Sequence, residues 1–362
     1  MGITLVARQG VLVRKVREQP GMEVWMVAVD DQEAQAVVYL ALVGAGQPGD
    51  QVLLNTTAVE LELGTGGQHF VIARQGEGEP APEHVSREDG HIMKLRYTPL
   101  QCRVCAAEEE ASPYHDALRA TTELPGTPVV CLGLHSQLAP AVGGIKAVNP
   151  ALRVAYVMTD SAALPLAYSR LVAELTARGL LDLTVTVGQA FGGTLEAVNI
   201  YSGLVTAVVA GGADIIIAGQ GPGNAGTGTP LGFGGIEQAV LLNAAGALAG
   251  RAIAVPRISF ADPRPRHAGI SHHTQTVLGR LTLAEVLLPV PVLAPEQAAV
   301  LAPQLAPLSR HRRITTDGTP GIALCRAQGI TLRSMGRSYE EDAAFFLAAA
   351  AAGRLAAELT AG

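Results

Sequence analysis

Two regimes of hydrophobic patterning divide the chain. Over residues 1–75, short Val-rich apolar runs at 3–7, 11–16, 23–29, 36–42, 51–55 and 69–73 are separated by Gly, Pro or Asp. Runs of this kind predict strands. Six of them in so short a span predict a small β-barrel or sandwich, read here as a structural scaffold. Pro48-Gly49-Asp50 predicts a tight turn into Val52-Leu53-Leu54. From Pro128 the pattern changes. Continuous apolar segments at 129–134, 154–159, 183–187, 214–218, 252–258, 285–292 and 313–316 predict strands buried on both faces. Helical patterns at 136–148, 165–178, 195–210, 236–249 and 271–281 lie between most of them, and 339–359 predicts a closing helix. Strand–helix alternation predicts an α/β fold: a doubly wound, mostly parallel sheet with helices on both faces. An eight-stranded α/β barrel fits the early β region and the uneven spacing poorly.

Between the two regimes, Gly76, Gly78, Pro80 and Pro82 alternate with acidic residues, so 74–89 reads as a linker. A strand is predicted over 91–100 and a polar connection over 108–123. The expected organisation is therefore an all-β domain at 1–75, a linker and connecting segment at 76–127, and a Rossmann-like α/β domain at 128–362. A chain of 362 residues with 48% hydrophobic and 16% charged residues can bury such a core, and it excludes a disordered chain. The net charge of −6 argues against nucleic acid and anionic membrane as partners. The apolar run at 343–353 meets Arg354 and is shorter than the roughly 20 residues that span a bilayer, so it reads as a core helix. The first ten residues hold one Arg and no long apolar region, so a cytoplasmic protein is expected. Homo-oligomerisation is left open.

In a parallel sheet, ligands bind beyond the carboxyl ends of the strands. The chemistry of this chain concentrates there. His135 follows the first α/β strand, Asp160 and Ser161 the second, and Gln189, Gly192 and Gly193 the third. Five glycines, Gly219, Gly221, Gly223, Gly226 and Gly228, run with Asn224 and Thr227 after the fourth. Such a loop can point backbone N–H groups at an anion, although its spacing matches neither the Walker loop nor the dinucleotide fingerprint. Ser259, Arg264, Arg266 and His267 follow the fifth strand, and guanidinium groups bind phosphate or carboxylate in a forked manner. Capping accounts for Ser136 or Ser161 singly but not for the whole set. Arg257, Arg264 and Arg266 could instead pair with Asp262.

Ser271 is the predicted N-cap of a helix that opens on His272-His273. Adjacent histidines point in different directions, which argues against their sharing one metal. His267 and His272 joining His135 or Asp160 around an ion is the alternative, and no metal is assigned. Cys102-Arg103-Val104-Cys105 lacks a second nearby pair, so no zinc is assigned there either. His135 and His272 suit acid–base work because imidazole titrates near neutrality. Ser161, Ser259 and Ser271 lack the GxSxG setting of a hydrolase nucleophile.

Several stretches resemble a bacterial family catalogued as domain of unknown function 3866. They are Leu54-Asn55-Thr56-Thr57-Ala58-Val59, Gly64-Thr65-Gly66-Gly67, Met158-Thr159-Asp160, Gly188-Gln189-Ala190-Phe191-Gly192-Gly193, Pro256-Arg257-Ile258-Ser259-Phe260-Ala261-Asp262-Pro263-Arg264, Arg266-His267 and Ser271-His272-His273-Thr274. The likeness spans nearly the whole chain. It implies a bacterial source and assigns no catalytic role.

The expectation drawn from the residues is an enzyme acting on a small anionic substrate, phosphorylated ones included. His135, Asp160 and His272 would carry the chemistry. Gln189, Gly192, Gly193, Gly221, Gly223, Asn224, Gly226, Thr227, Ser259, Arg264, Arg266 and His267 would bind the substrate. The cofactor is left unknown, and a non-catalytic ligand-binding or regulatory module is the alternative.

Overall fold

The computed structural model describes residues 5–62, 67–75 and 90–360. It divides into two compact units, one of residues 1–104 with Ala167–Ala173, the other of 105–166 with 174–362. Gly64, Thr65 and Gly66 and most of the expected linker, residues 76–89, lie outside the described residues.

The first unit is built on a closed five-stranded barrel of β1 (Ala7–Gln19), β2 (Met22–Val29), β3 (Gln32–Tyr39), β4 (Gln51–Asn55) and β5 (Gln68–Gln75). Strand β1 serves two partners. It pairs with β4 through Ala7–Val11 and with β2 from Val11 to Gln19, and register shifts after Leu12 and Lys15 bend it around the corner. Of the expected strand 3–7, residues 3 and 4 lie outside the described residues, 5 and 6 are not strand, and only Ala7 enters β1, which takes in the expected strand 11–16. Gly10 sits in the bend, where a Cβ would meet Ala28 O, Leu54 and Val27 at 2.9 Å. Leu12, Trp25, Val27, Ala36, Val38, Val52 and Leu54 fill the interior. Glu23 is buried with them but satisfied, accepting from Trp25 Nε1 at 2.8 Å and Gly46 N at 3.0 Å and pairing with Lys15 at 2.6 Å. The end of the run at 36–42 is a short helix, α1 (Leu40–Val43), and α2 (Thr57–Glu60) follows β4. The strand expected over 91–100 shrinks to β6 (Ile92–Lys94), paired with β7 (Cys102–Val104).

The second unit is an eight-stranded sheet in which every pairing is parallel. Its strands are β8 (Pro128–Cys131), β9 (Val154–Thr159), β10 (Leu183–Thr186), β11 (Leu195–Glu196), β12 (Ile215–Gln220) and β13 (Arg251–Ala254), then, after a short hairpin of β14 (Ile258–Ser259) and β15 (Gly269–Ile270), β16 (Leu287–Pro291) and β17 (Arg312–Thr316). Their spatial order is β11-β10-β9-β12-β8-β13-β16-β17. From β8 the chain steps to β9 on one side, then returns through β12 to β13 on the other. Right-handed crossovers in opposite directions put the intervening helices on opposite faces. Every residue of β9 and β12 is buried, as two covered faces require.

The helices differ in part from expectation. The pattern at 195–210 yields β11 before α6 (Ile200–Val209), because Leu195 and Glu196 pair with Val185 and Thr186 at the sheet edge. A short α3 (His115–Ala120) stands in the polar connection. Helices α4 (Leu138–Val148), α5 (Arg170–Ala177), α7 (Glu237–Ala247) and α8 (His272–Thr276) fall within expected segments, and α9 (Pro295–Leu305) and α10 (Thr319–Ala327) fall in unassigned ones. The last, α11 (Ala343–Thr360), runs 18 residues, long and apolar enough to cross a membrane, yet two thirds of it is buried in the core. Arg354 does not end it, pairing with Glu358 at 2.7 Å on its own surface. Against α11 lies α4, at backbone distance. A Cβ on Gly144 would stand 2.0 Å from Ala350 O, and one on Gly353 1.8 Å from Ala141 O.

Candidate functional site

The central strands β9, β12, β8 and β13 end side by side, so the loops that follow them share one edge of the sheet. A lattice of amide side chains binds these loops together. Gln137 accepts from the N–H groups of Gly133 and Leu134 at 2.9 and 3.0 Å. Gln238 donates to the carbonyls of Cys131 and Val255, both at 2.8 Å, tying the end of β8 to that of β13. Gln220 ends β12, donates to Asn224 Oδ1 at 2.9 Å and accepts from Ser161 Oγ at 3.1 Å. Such a lattice rigidifies the loop backbones.

Two groups of titratable side chains stand on this frame. In the first, His135 Nδ1 lies 3.1 Å from the Tyr156 hydroxyl and 3.3 Å from Gln220 O. Burial pushes this imidazole down to about 4, opposed by the Gln220 carbonyl, so it is neutral at pH 7. Glu237, in the first turn of α7, accepts from Thr159 Oγ1 at 2.6 Å and from Ser161 Oγ. Burial raises its pKa against the pull of those two hydroxyls, and the charge of Asp160 raises it further. Asp160 itself is exposed and accepts from Gln189 N at 2.8 Å.

The second group is the arginine–histidine cluster after β13. Asp262 is its hub, with a fully buried side chain. Arg264 forks onto both its oxygens at 2.9 and 2.8 Å, Arg257 reaches it at 3.1 Å, and Arg337 stands at 3.6 Å. The Arg264 fork, above all, holds the Asp262 carboxyl well below the usual range, and burial pushes Arg257 down to about 10. Ser259 is sealed inside, donating to Asp342 at 2.7 Å and accepting from Asp262 N at 3.1 Å. Ion pairing within the protein thus occupies Arg257 and Arg264. Arg266 is exposed and has no carboxylate partner among the described residues.

Beside this hub, the rings of His267, His272 and His273 meet. Their centroids are 4.8, 5.1 and 4.3 Å apart, and Phe233 stacks on His273 at 3.8 Å and 5°. The expectation that adjacent histidines diverge therefore fails. His272 and His273 open a short helix, and the wall formed by Phe233 and His267 turns both rings to the same side. Burial lowers all three, with the neighbouring arginines adding to the effect: His267 falls to about 4 and His273 to about 3. A cavity of about 20 Å³, room for about one water, lies between Gly133, Phe233, Gln238, Arg257, His273 and Thr274.

The glycine loop folds largely on itself. Thr227 N donates to Gly232 O and Gly234 N to Ala225 O, both at 2.9 Å, and Gly226 bridges to Phe233. Thr227 Oγ1 also donates to Gly232 O. Gly221 is held close, since a Cβ would meet Ala163 O at 2.9 Å. Gly223 and Gly226 face open space, and Gly223 has a φ of 105° that favours glycine. Gly192 N donates to Glu196 and Gly193 N to Thr186 Oγ1, so that pair shapes the turn into β11. Phe233, Glu237, Tyr156 and Arg337 also belong to this edge and were not singled out by residue type, and His273 was named only as the neighbour of His272. Phe233 is the one aromatic residue near the glycine stretch, a usable signal. Glu237 and Arg337 follow no strand end and carry none. Neither Cys102 nor Cys105 is in a disulfide.

No curated protein and no solved structure matches the chain. A family model described as protein of unknown function (DUF3866) matches residues 35–353, nearly the full length carrying this site, and the protein belongs to that family.

Proposed function

We propose that the protein is an enzyme acting on a small anionic substrate at the carboxyl edge of the parallel sheet. The observation that carries this reading is a pair of groups displaced in opposite directions and joined through Gln220 and Ser161. His135 is kept neutral as a base, while Glu237 retains its proton above the ordinary carboxylate range as an acid. Titratable groups pushed apart in this way are the usual assignment of acid and base. Arg266 supplies an uncommitted positive charge on the same edge. Gly223 and Gly226, open to solvent, leave room for a ligand to approach the backbone.

Thermal melting in phosphate, sulfate and small phosphoesters tests the binding half. Wild type should gain stability over a chloride control of equal ionic strength, and Arg266→Ala should gain less. Equal gains in both proteins would remove the anion site. A phosphoester that binds but is not turned over, with Glu237→Gln and His135→Asn leaving its affinity unchanged, would make the protein a binding module instead.

A further inference from the structure

We infer that His267, His272 and His273 form a three-imidazole site for a divalent transition metal, of the zinc, cobalt or nickel kind, with a coordination position left for an anion. One ring nitrogen from each residue lies within 4.8 Å of the others, and among the described residues no other group of three or more His, Cys, Asp or Glu side chains could hold a metal ion. Nitrogens bound to zinc at about 2.1 Å lie about 3.4 Å apart in a tetrahedron, so small side-chain rotations close the site.

Three further observations point to a ligand. His272 Nε2 is buried and has no hydrogen-bond partner, a state that costs free energy unless something coordinates it. His267 Nδ1 lies 2.7 Å from Ser271 Oγ, which also accepts from His273 N at 3.2 Å. The hydroxyl thus caps the helix and holds the His267 ring, leaving His267 Nε2 as the ligand atom when Nδ1 carries the proton, the arrangement that holds metal-binding histidines in place. Phe233, flat against His273, limits the rotation of that ring.

The surrounding charge narrows the class. Arg257, Arg264 and Arg266 act on these rings, and Asp262 is the carboxylate of the cluster. A bare dication beside three guanidinium groups is opposed. A dication carrying an anionic ligand is not, and three protein ligands leave a tetrahedral position for it. Imidazole donors favour zinc-like ions over magnesium or calcium.

The full chain, stripped with a chelator and dialysed, is titrated with Co²⁺ in bicarbonate-free buffer. One equivalent should bind, with the visible absorption of a four- or five-coordinate ion. Zn²⁺ should displace it, and added phosphate or acetate should shift the band. His272→Gln and His273→Gln should each weaken binding at least 100-fold, while the Cys102→Ser/Cys105→Ser double variant should not. X-ray absorption at the zinc edge of the wild-type protein covers the case in which a histidine variant misfolds. It should show three imidazoles and no sulfur. No binding, binding unchanged in folded histidine variants, or a zinc shell of sulfur or of oxygen alone overturns the site.

Discussion

Replacing Asp262 by Asn should destabilise the second unit by about 3 kcal/mol, and the structure says which charge is responsible. The carboxylate serves three guanidinium groups. Arg264 is 47% exposed, so water can take over its hydration, and its pairing is worth about 0–1 kcal/mol. Arg337 keeps Asp342 at 3.1 Å. Arg257 has neither escape. Its side chain is 7% exposed, its other hydrogen-bond acceptor is the Met335 sulfur at 3.2 Å, and the charge of Asp342 acts on it more weakly. A buried charge deprived of its partner costs about 3–5 kcal/mol, and an Asn oxygen that still accepts one bond keeps the loss near the lower end. Urea unfolding followed by far-UV circular dichroism reads this, with fluorescence of the single tryptophan, Trp25, reporting the barrel as an internal control. The Asp262→Asn/Arg257→Met double variant should recover most of the loss, because the stranded charge is gone. Because the folded carboxyl lies below the unfolded value of 3.8, its contribution is complete above that value and disappears only as the pH falls through the lower one. The difference between wild type and Asp262→Asn should therefore be constant from pH 5 to 8. A loss under about 1 kcal/mol, no recovery in the double variant, or a difference that fades by pH 5 would refute the reasoning.

Two further outcomes follow from the same structure. Gly353→Ala should cost at least about 3 kcal/mol or prevent folding, since its Cβ would stand 1.8 Å from the Ala141 carbonyl and backbone cannot yield cheaply, whereas Gly226→Ala, facing open space, should leave the melting temperature unchanged. Glu237 has a folded pKa above its unfolded 4.5, so wild type loses about 1.4 kcal/mol per pH unit between those two values as the pH rises; the melting temperature of Glu237→Gln relative to wild type should therefore be higher at pH 8 than at pH 5, and an unchanged difference would place the carboxyl in an ordinary environment.

The linear pattern of the chain determined the two architectures and their order. Short Val-rich runs can close only a small β structure, and continuous apolar runs alternating with helical periods can only be buried between helices. It also determined that polar residues gather at the carboxyl ends of the strands, because local loop chemistry is written in adjacent residues. Short edge elements such as β11 escaped it, since Leu195 and Glu196 become a strand only because β10 offers them hydrogen bonds. Partnership was decided by tertiary structure alone. Arg264 could have faced a ligand but faces Asp262, Ser259 faces Asp342, and the loop glycines largely satisfy one another. The histidines show the same division most sharply. Their presence in 267–273 is a property of the sequence, but whether two neighbours on a helix converge depends on what stands beside them. Here Phe233, forty residues earlier and on another strand's loop, turns His273 toward His267 and His272. Side-chain direction is set by packing across the sheet edge, and packing joins residues whose separation along the chain carries no information about their separation in space.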